Sequence, residues 1–268
     1  MHPDFWHGAI IFYVFNVAKY FFVAGGFFLI FYVYYPDKFK HSKIQPNHTQ
    51  KKSDFIREIY HSNITLIIGI FVVPVLLFTP LEKYTNFKFS YTELPYNLSL
   101  WWSPVIFLVV LVLHDTYFYW IHWIMHRPKL FKRFHLIHHK SHDPTSLAAI
   151  SFNYPEAMLE LLFNVFIILV IPFDITVNFA VGLILFTFHS YVHLGYEIAP
   201  LWFRKSFLFK IFATSTHHNI HHSKTHYNYG LYFRMWDRIM KTEHPNYEAY
   251  YDEIQVRRLN NQQALAQT

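Results

Sequence analysis

Apolar and polar residues alternate along this chain in long blocks, not in the short rhythm of a soluble domain. Residues 9–35 are almost wholly apolar, with Lys19 the one charge inside the run. As a helix that run is long enough to cross a hydrocarbon core of about 30 Å. It is too long for a signal peptide and lacks a basic leader and a small-residue cleavage site. Residues 36–57 turn polar and basic. Residues 63–81 form a second span, shortened or kinked by Pro74, and 82–99 read as a polar outer loop. The third span, 100–120, runs straight into a histidine-rich block. After a polar stretch at 127–155 come two more apolar runs, 157–171 and 176–191, joined by Pro172, Phe173 and Asp174. At about 1.5 Å per residue the first of these is marginal for a full crossing. The pair therefore spans as a tight hairpin or dips partway in. From residue 202 onward the chain is polar, basic and rich in histidine, as expected of a soluble cap. The pattern predicts an all-α integral membrane protein, one domain over residues 1–268, with four to five membrane-embedded helices.

Composition sharpens this. The chain is 53% hydrophobic and 21% aromatic with only 15% charged residues, too apolar for a soluble protein of this size. It has no cysteine, which excludes disulfides, iron–sulfur clusters, thiolate haem ligands and a cysteine nucleophile. A formal charge of +6 could suit nucleic acid, but the basic residues flank apolar runs and fit a membrane surface better, so no nucleic-acid partner is expected. Lysine and arginine also set an orientation. The segment 36–57 carries six, 127–140 carries five and the chain from 202 carries nine, whereas the loop between the second and third spans has only Lys83 and Lys88. The positive-inside rule puts the first three in the cytoplasm.

The candidate chemistry lies in the histidines. His122 and His126 are four apart, and His135, His138 and His139 stand at i, i+3 and i+4. Both spacings put imidazoles on one face of a helix. Pro128 falls between the sets and ends the first helix. The same spacings recur in His189 and His193 and in His218, His221 and His222. One metal rarely takes more than six ligands, so ten imidazoles imply two metals with about five nitrogens each. The orientation derived from lysine and arginine alone gathers all ten on the cytoplasmic face. Asp115 lies seven residues before His122 on the same helix face and suits an acceptor that orients an imidazole through its other nitrogen. Asp143 and Asp237 could serve likewise, or act as helix caps or ion-pair partners of Arg127 or Arg238.

Together these motifs resemble the three histidine boxes of the integral-membrane sterol desaturase/fatty acid hydroxylase superfamily. The run Asp115-x-x-x-Tyr119-Trp120-x-His122 is similar to its lead-in. So are Pro144-Thr145, the additional His189 and His193, Gly195-Tyr196-Glu197, and Asn228-Tyr229-Gly230 followed by Trp236-Asp237-Arg238. The last pair is most similar to C-5 sterol desaturases and their bacterial relatives. The likeness covers about 115–242, with the histidine-box catalytic region at about 114–242. Trp123, Tyr154-Pro155 and Lys241-Thr242 depart from common family residues, where substrate or electron donor could be read. None of them removes a ligand.

The resemblance implies a non-haem diiron centre, two iron ions, that uses dioxygen and an external electron donor to hydroxylate or desaturate a membrane lipid. Its ligands would be His122, His126, His135, His138, His139, His189, His193, His218, His221 and His222, with Asp115 and Asp237 behind them and no catalytic side chain beyond the ligands. Electrons would come from a separate reductase or carrier protein. His114, His142, His217 and His226 lie outside the boxes and are expected behind the ligands or on the surface. Two other classes are a bis-histidine haem electron-transfer protein and a divalent-metal transporter. Haem needs two axial histidines per group and leaves eight unexplained, while a transporter places its ligands at the bilayer midplane.

Overall fold

The computed structural model describes residues 4–88 and 102–266. The remainder of the outer loop read at 82–99, together with the first two residues of the third span, lies outside the described residues. Among the described residues the following helices position the site. The first, α1 (Asp4–Tyr20), continues through wide π-type turns to Tyr34. It is followed by α2 (Lys52–Leu77), α3 (Ser103–Met125), α4 (Pro128–Phe134) and α5 (Leu136–His139). Then come α6 (Tyr154–Val170), α7 (Ile175–Val192), α8 (Ser215–Lys224) and α9 (Tyr247–Ala266). The sole sheet among the described residues is a parallel pair of two-residue strands, β1 (Phe87–Lys88) and β2 (Phe173–Asp174).

Four helices are long and apolar enough to cross a membrane: Phe5–Tyr34, Lys52–Leu77, Ser103–Met125 and Ile175–Val192. Their outer faces carry bare apolar side chains, such as Phe22 at 82% exposed and Leu108 at 58%. In water such a surface would drive aggregation; in lipid it is matched. The chain is an integral membrane protein.

Helix boundaries follow local chemistry. The Asp54 carboxylate accepts the Lys51 N–H at 2.9 Å and closes the start of α2. The Asn153 and Asp174 side chains accept backbone N–H groups at the starts of α6 and α7. α3 stops at Met125 because Arg127, preceding Pro128, is extended, and Pro128 then opens α4. Pro74 sits inside α2, whose last turn closes with Phe78 N–H on the Pro74 carbonyl.

α1, α2, α3, α6 and α7 alternate in direction. α1 and α2 run antiparallel, with Tyr13 donating to Asn63 near mid-helix and Gly8 packed on Phe78 at one end. The Tyr117 hydroxyl of α3 bonds the Leu159 carbonyl of α6. A core of Val73, Ile106, Val110, Phe163, Ile167 and Val177 joins α2, α3, α6 and α7 at one end. The hairpin left open between a full crossing and a partial dip runs as deep as its neighbours. Its turn at β2 pairs with β1 from the chain following α2, and Asn86 bonds Ile168 and Leu169 at the same end. At the opposite end Tyr32 donates to the Leu194 carbonyl, Gln50 to Asp143, and Arg57 to the Lys140 carbonyl, gathering the histidine-bearing segments.

Part of the tail packs along α3. Tyr232 and Phe233 place their N–H groups on Asp115, and the Trp236 indole donates to Thr116 at 3.1 Å. Residues 231–236 therefore descend beside α3 within its membrane-spanning length. Met235 within this stretch and Ile239 just beyond it are exposed. Polar composition averaged over 202–268 hides this short apolar stretch.

Candidate metal centre

α3 ends by presenting His122 and His126. His135 precedes α5, which holds His138 and His139; α7 closes on His189 and His193; α8 carries His218, His221 and His222. All ten are buried or nearly so, the most exposed at 9%. They do not sort by motif. His122, His126, His135, His139 and His221 form one cluster, and His138, His193, His218 and His222 another. Within each, one ring nitrogen per residue lies within 4.8 Å of the others. His135, His138 and His139 thus do not share one face: successive residues on a helix point about 100° apart, and His138 parts from His139 as His222 parts from His221. α5 and α8 stand between the clusters and serve both. His189 sits beside the second, its ring 5.0 Å from that of His193 and its Nε2 without a hydrogen-bond partner.

The tautomers show what the clusters suit. His122 Nδ1 donates to the Tyr229 carbonyl at 2.8 Å, His193 Nδ1 to the His189 carbonyl at 2.9 Å and His221 Nδ1 to the Tyr227 carbonyl at 2.6 Å. A carbonyl only accepts, so in neutral rings these three leave Nε2 as a bare lone pair. Those Nε2 atoms nonetheless crowd others: His122 on His135 at 2.9 Å, His139 on His221 at 3.0 Å, and His193 on His138 at 3.1 Å. The ring of His135 is likewise engaged through Nδ1, 2.5 Å from the Glu156 carboxylate. Where the second ring also carries its proton on Nδ1, two lone pairs face each other, and a cation between them turns that repulsion into shared coordination. The donor set, all imidazole and no thiolate, fits a first-row transition metal.

Electrostatics hold the rings in the binding form. Burial, reinforced by neighbouring imidazoles, pushes His135, His138, His139, His218, His221 and His222 well below the usual histidine range. The same causes lower His126, and burial takes His193 down to about 3. These eight are neutral at pH 7, as a ligand must be.

The supporting carboxylates differ from expectation. Asp115 touches no imidazole. One oxygen accepts Tyr232 and Phe233 N–H, and the other has no hydrogen-bond partner. Two turns of helix separate it from His122, so its carboxylate meets the descending tail instead. Asp237 acts at one remove: it accepts Tyr229 N–H, Gly230 N–H and the Thr242 hydroxyl at 2.7–2.8 Å. It thereby fixes the turn whose Tyr229 carbonyl holds His122. Asp143 accepts Asn219 and Gln50 amides, tying α8 to the chain before α2. Glu197 accepts Thr216 N–H and hydroxyl and anchors the start of α8.

The carboxylate that does touch a cluster is Glu156, unremarked in the sequence. Its signal was there: Glu156 and Glu160 are the only acids in an otherwise apolar helix, one turn apart. Of the histidines outside the boxes, His142 and His226 are exposed, His217 is buried 3.8 Å from Asp237, and His114 bonds the Tyr232 hydroxyl.

The family model for fatty acid hydroxylase matches residues 107–242, half of the chain. Rat lathosterol oxidase is 32% identical over 151 residues, covering 52% of this chain and 45% of the rat protein. Human lathosterol oxidase is 28% identical over 212 residues, covering 75% and 62%. Methylsterol monooxygenase erg25B of Aspergillus fumigatus is 29% identical over 219 residues, covering 77% and 69%. The chain thus spans about half to two thirds of the length of these curated relatives. No solved structure matches. The matched segment contains both histidine clusters and the carboxylates that brace them, and the chain belongs to the fatty acid hydroxylase family, within the sterol desaturase/fatty acid hydroxylase superfamily.

Proposed function

We propose that this protein is a membrane oxidoreductase that holds two irons in its histidine clusters and oxidises a membrane lipid with dioxygen. The observation that carries the reading is the convergence of bare imidazole nitrogens into two adjoining clusters at the ends of membrane-spanning helices. The ten boxed histidines are the ligands. The substrate is a sterol-like, fatty acyl or sphingoid lipid, and the sterol oxidases among the relatives support that class. A bound iron pair supplies dioxygen-dependent oxidation of an unactivated C–H bond, to an alcohol or an alkene, with two electrons from a separate carrier protein.

The chain's own part is placement. Backbone carbonyls of Tyr227, Tyr229 and His189 fix three tautomers, Glu156 orients His135, and Asp237 fixes the Tyr229 turn. Phe152, its ring 5.3 Å from that of His138, lines a chamber that reaches His189 and makes that wall apolar. Five imidazoles with nitrogens within 4.8 Å leave no room for a porphyrin, which disfavours haem. The clusters lie at helix ends and not at midplane, which disfavours a transporter. Purified iron-loaded protein, given a reductase, heavy-isotope dioxygen and extracted lipids, should yield a lipid carrying one labelled oxygen or lacking two hydrogens. Turnover of a water-soluble substrate with every lipid unchanged would overturn the reading.

The clusters face the cytoplasm in this account, because the basic segments lie at the histidine end. Single cysteines at the exposed positions Asn47 and Gln262 should react with an impermeant thiol reagent only from the cytoplasmic side. One at exposed Lys83 should react only from outside; identical sidedness at Lys83 and Asn47 contradicts the orientation.

A further inference from the structure

Lys19 is a charge in the middle of a membrane-spanning helix, and nothing in the metal centre uses it. Such a residue is expensive in lipid and marks function by default. Its Nζ has no hydrogen bond or ion pair among the described residues. It lies 5.4 Å from the Phe186 ring and 5.9 Å from that of Phe15. The surroundings make space for it: a Cβ added at Gly182 would stand 3.9 Å from Nζ.

The ammonium opens on a cavity. A chamber of about 600 Å³ lies between α1, α2, α6 and α7. A second, of about 210 Å³, shares Lys19, Asn164, Asn178 and Gly182 with the first and reaches His189. Their combined size is that of a lipid-sized ligand, and the walls are mostly apolar. Lys19, Thr65, Asn164 and Asn178 are polar groups that both chambers share, and the Glu160 carboxyl lines the second alone; the side chains of Asn164 and Asn178 have no hydrogen-bond partner among the described residues. Gly182 and His189 are seven residues apart on one face of α7, two turns or about 10 Å along the axis.

We propose that Lys19, with Asn164 and Asn178, is a specificity site that binds an oxygen acceptor on the lipid substrate, about 10 Å along the molecule from the carbon presented at His189. An isolated ammonium in lipid gains most from a negatively polarised oxygen, and among the described residues none lies within hydrogen-bonding distance of it. The selected lipid carries a carboxylate, hydroxyl or keto oxygen remote from the site of oxidation. The inference rests on the lipid-oxidation reading, and its test uses binding so that the two fail separately.

Equilibrium binding of C18 fatty acid, C18 alcohol and C18 alkane would be measured on the full-length protein in lipid nanodiscs, for wild type, Lys19→Met and Lys19→Arg. Wild type should bind an oxygenated chain about ten- to a hundredfold more tightly than the alkane. Lys19→Met should abolish that preference with metal content unchanged, and Lys19→Arg should keep it. Preference for the acid alone assigns a carboxylate, and preference for acid and alcohol alike assigns any oxygen acceptor. Equal binding of all three lipids by wild type, or an undiminished preference in Lys19→Met, overturns the proposal. A lipid preference lost in Lys19→Met without any dioxygen-dependent turnover supports this site while sinking the oxidase reading.

Discussion

Replacing His221 by alanine should lower metal content from about two ions per chain to about one and reduce activity on the order of a thousandfold. His221 belongs to the first cluster, where its Nε2 faces that of His139 at 3.0 Å and its ring stacks edge-on to His122 and His126. Alanine removes the nitrogen and leaves the other four rings without the shape that selects the ion. A transition state stabilised by several kcal/mol through a metal loses that stabilisation with it. His138→Ala should do the same to the second cluster, since His138 faces His193 at 3.1 Å. Exposed His226 is the control, and its alanine variant should retain both metals and full activity. Metal analysis and lipid turnover on the same preparations check all three. Full activity in His221→Ala or His138→Ala would remove that residue from the site.

These paired expectations show how far the sequence could be read. The helices and the ten histidines follow from periodicity, because an apolar run and an i, i+4 spacing are local properties of the chain. Which imidazole joins which cluster is not local. His138 and His139 are neighbours in sequence and part company because α5 lies between the clusters, a consequence of packing against α8. Asp115 reads in the sequence as an acceptor that orients an imidazole, yet its partners come from more than a hundred residues downstream. Glu156 is visible in the sequence only as one of two acids in an apolar run; its contact with His135 is tertiary and not local to the chain. The descent of 231–236 along α3 was hidden for the same reason: it is a tertiary contact made by a segment whose average composition is polar.

Asp237→Ala should destabilise the protein by about 3–5 kcal/mol and weaken metal binding at the first cluster by about ten- to a hundredfold. The carboxylate is fully buried and takes three hydrogen bonds, from Tyr229 N–H, Gly230 N–H and the Thr242 hydroxyl. Its loss strands two buried backbone donors, each a desolvation penalty of about 1–3 kcal/mol. Gly230 lies too close to the Phe233 carbonyl and to Asp237 for a larger residue, so the turn has little freedom to find substitutes. As the turn relaxes, the Tyr229 carbonyl no longer fixes His122 Nδ1, and the Nε2 lone pair loses its aim. Thermal unfolding in detergent reads the first effect and metal titration the second. Asp237→Asn, with one oxygen left to accept, should fall between. An alanine variant with unchanged unfolding temperature and metal affinity would detach Asp237 from the site.

Two clusters of imidazole nitrogens, each fit for one ion, are the centre of the account. The most direct test is metal analysis of iron-reconstituted full-length protein together with its absorption spectrum. The account predicts about two irons per chain and no Soret band. One ion per chain, none, or a Soret band would contradict it.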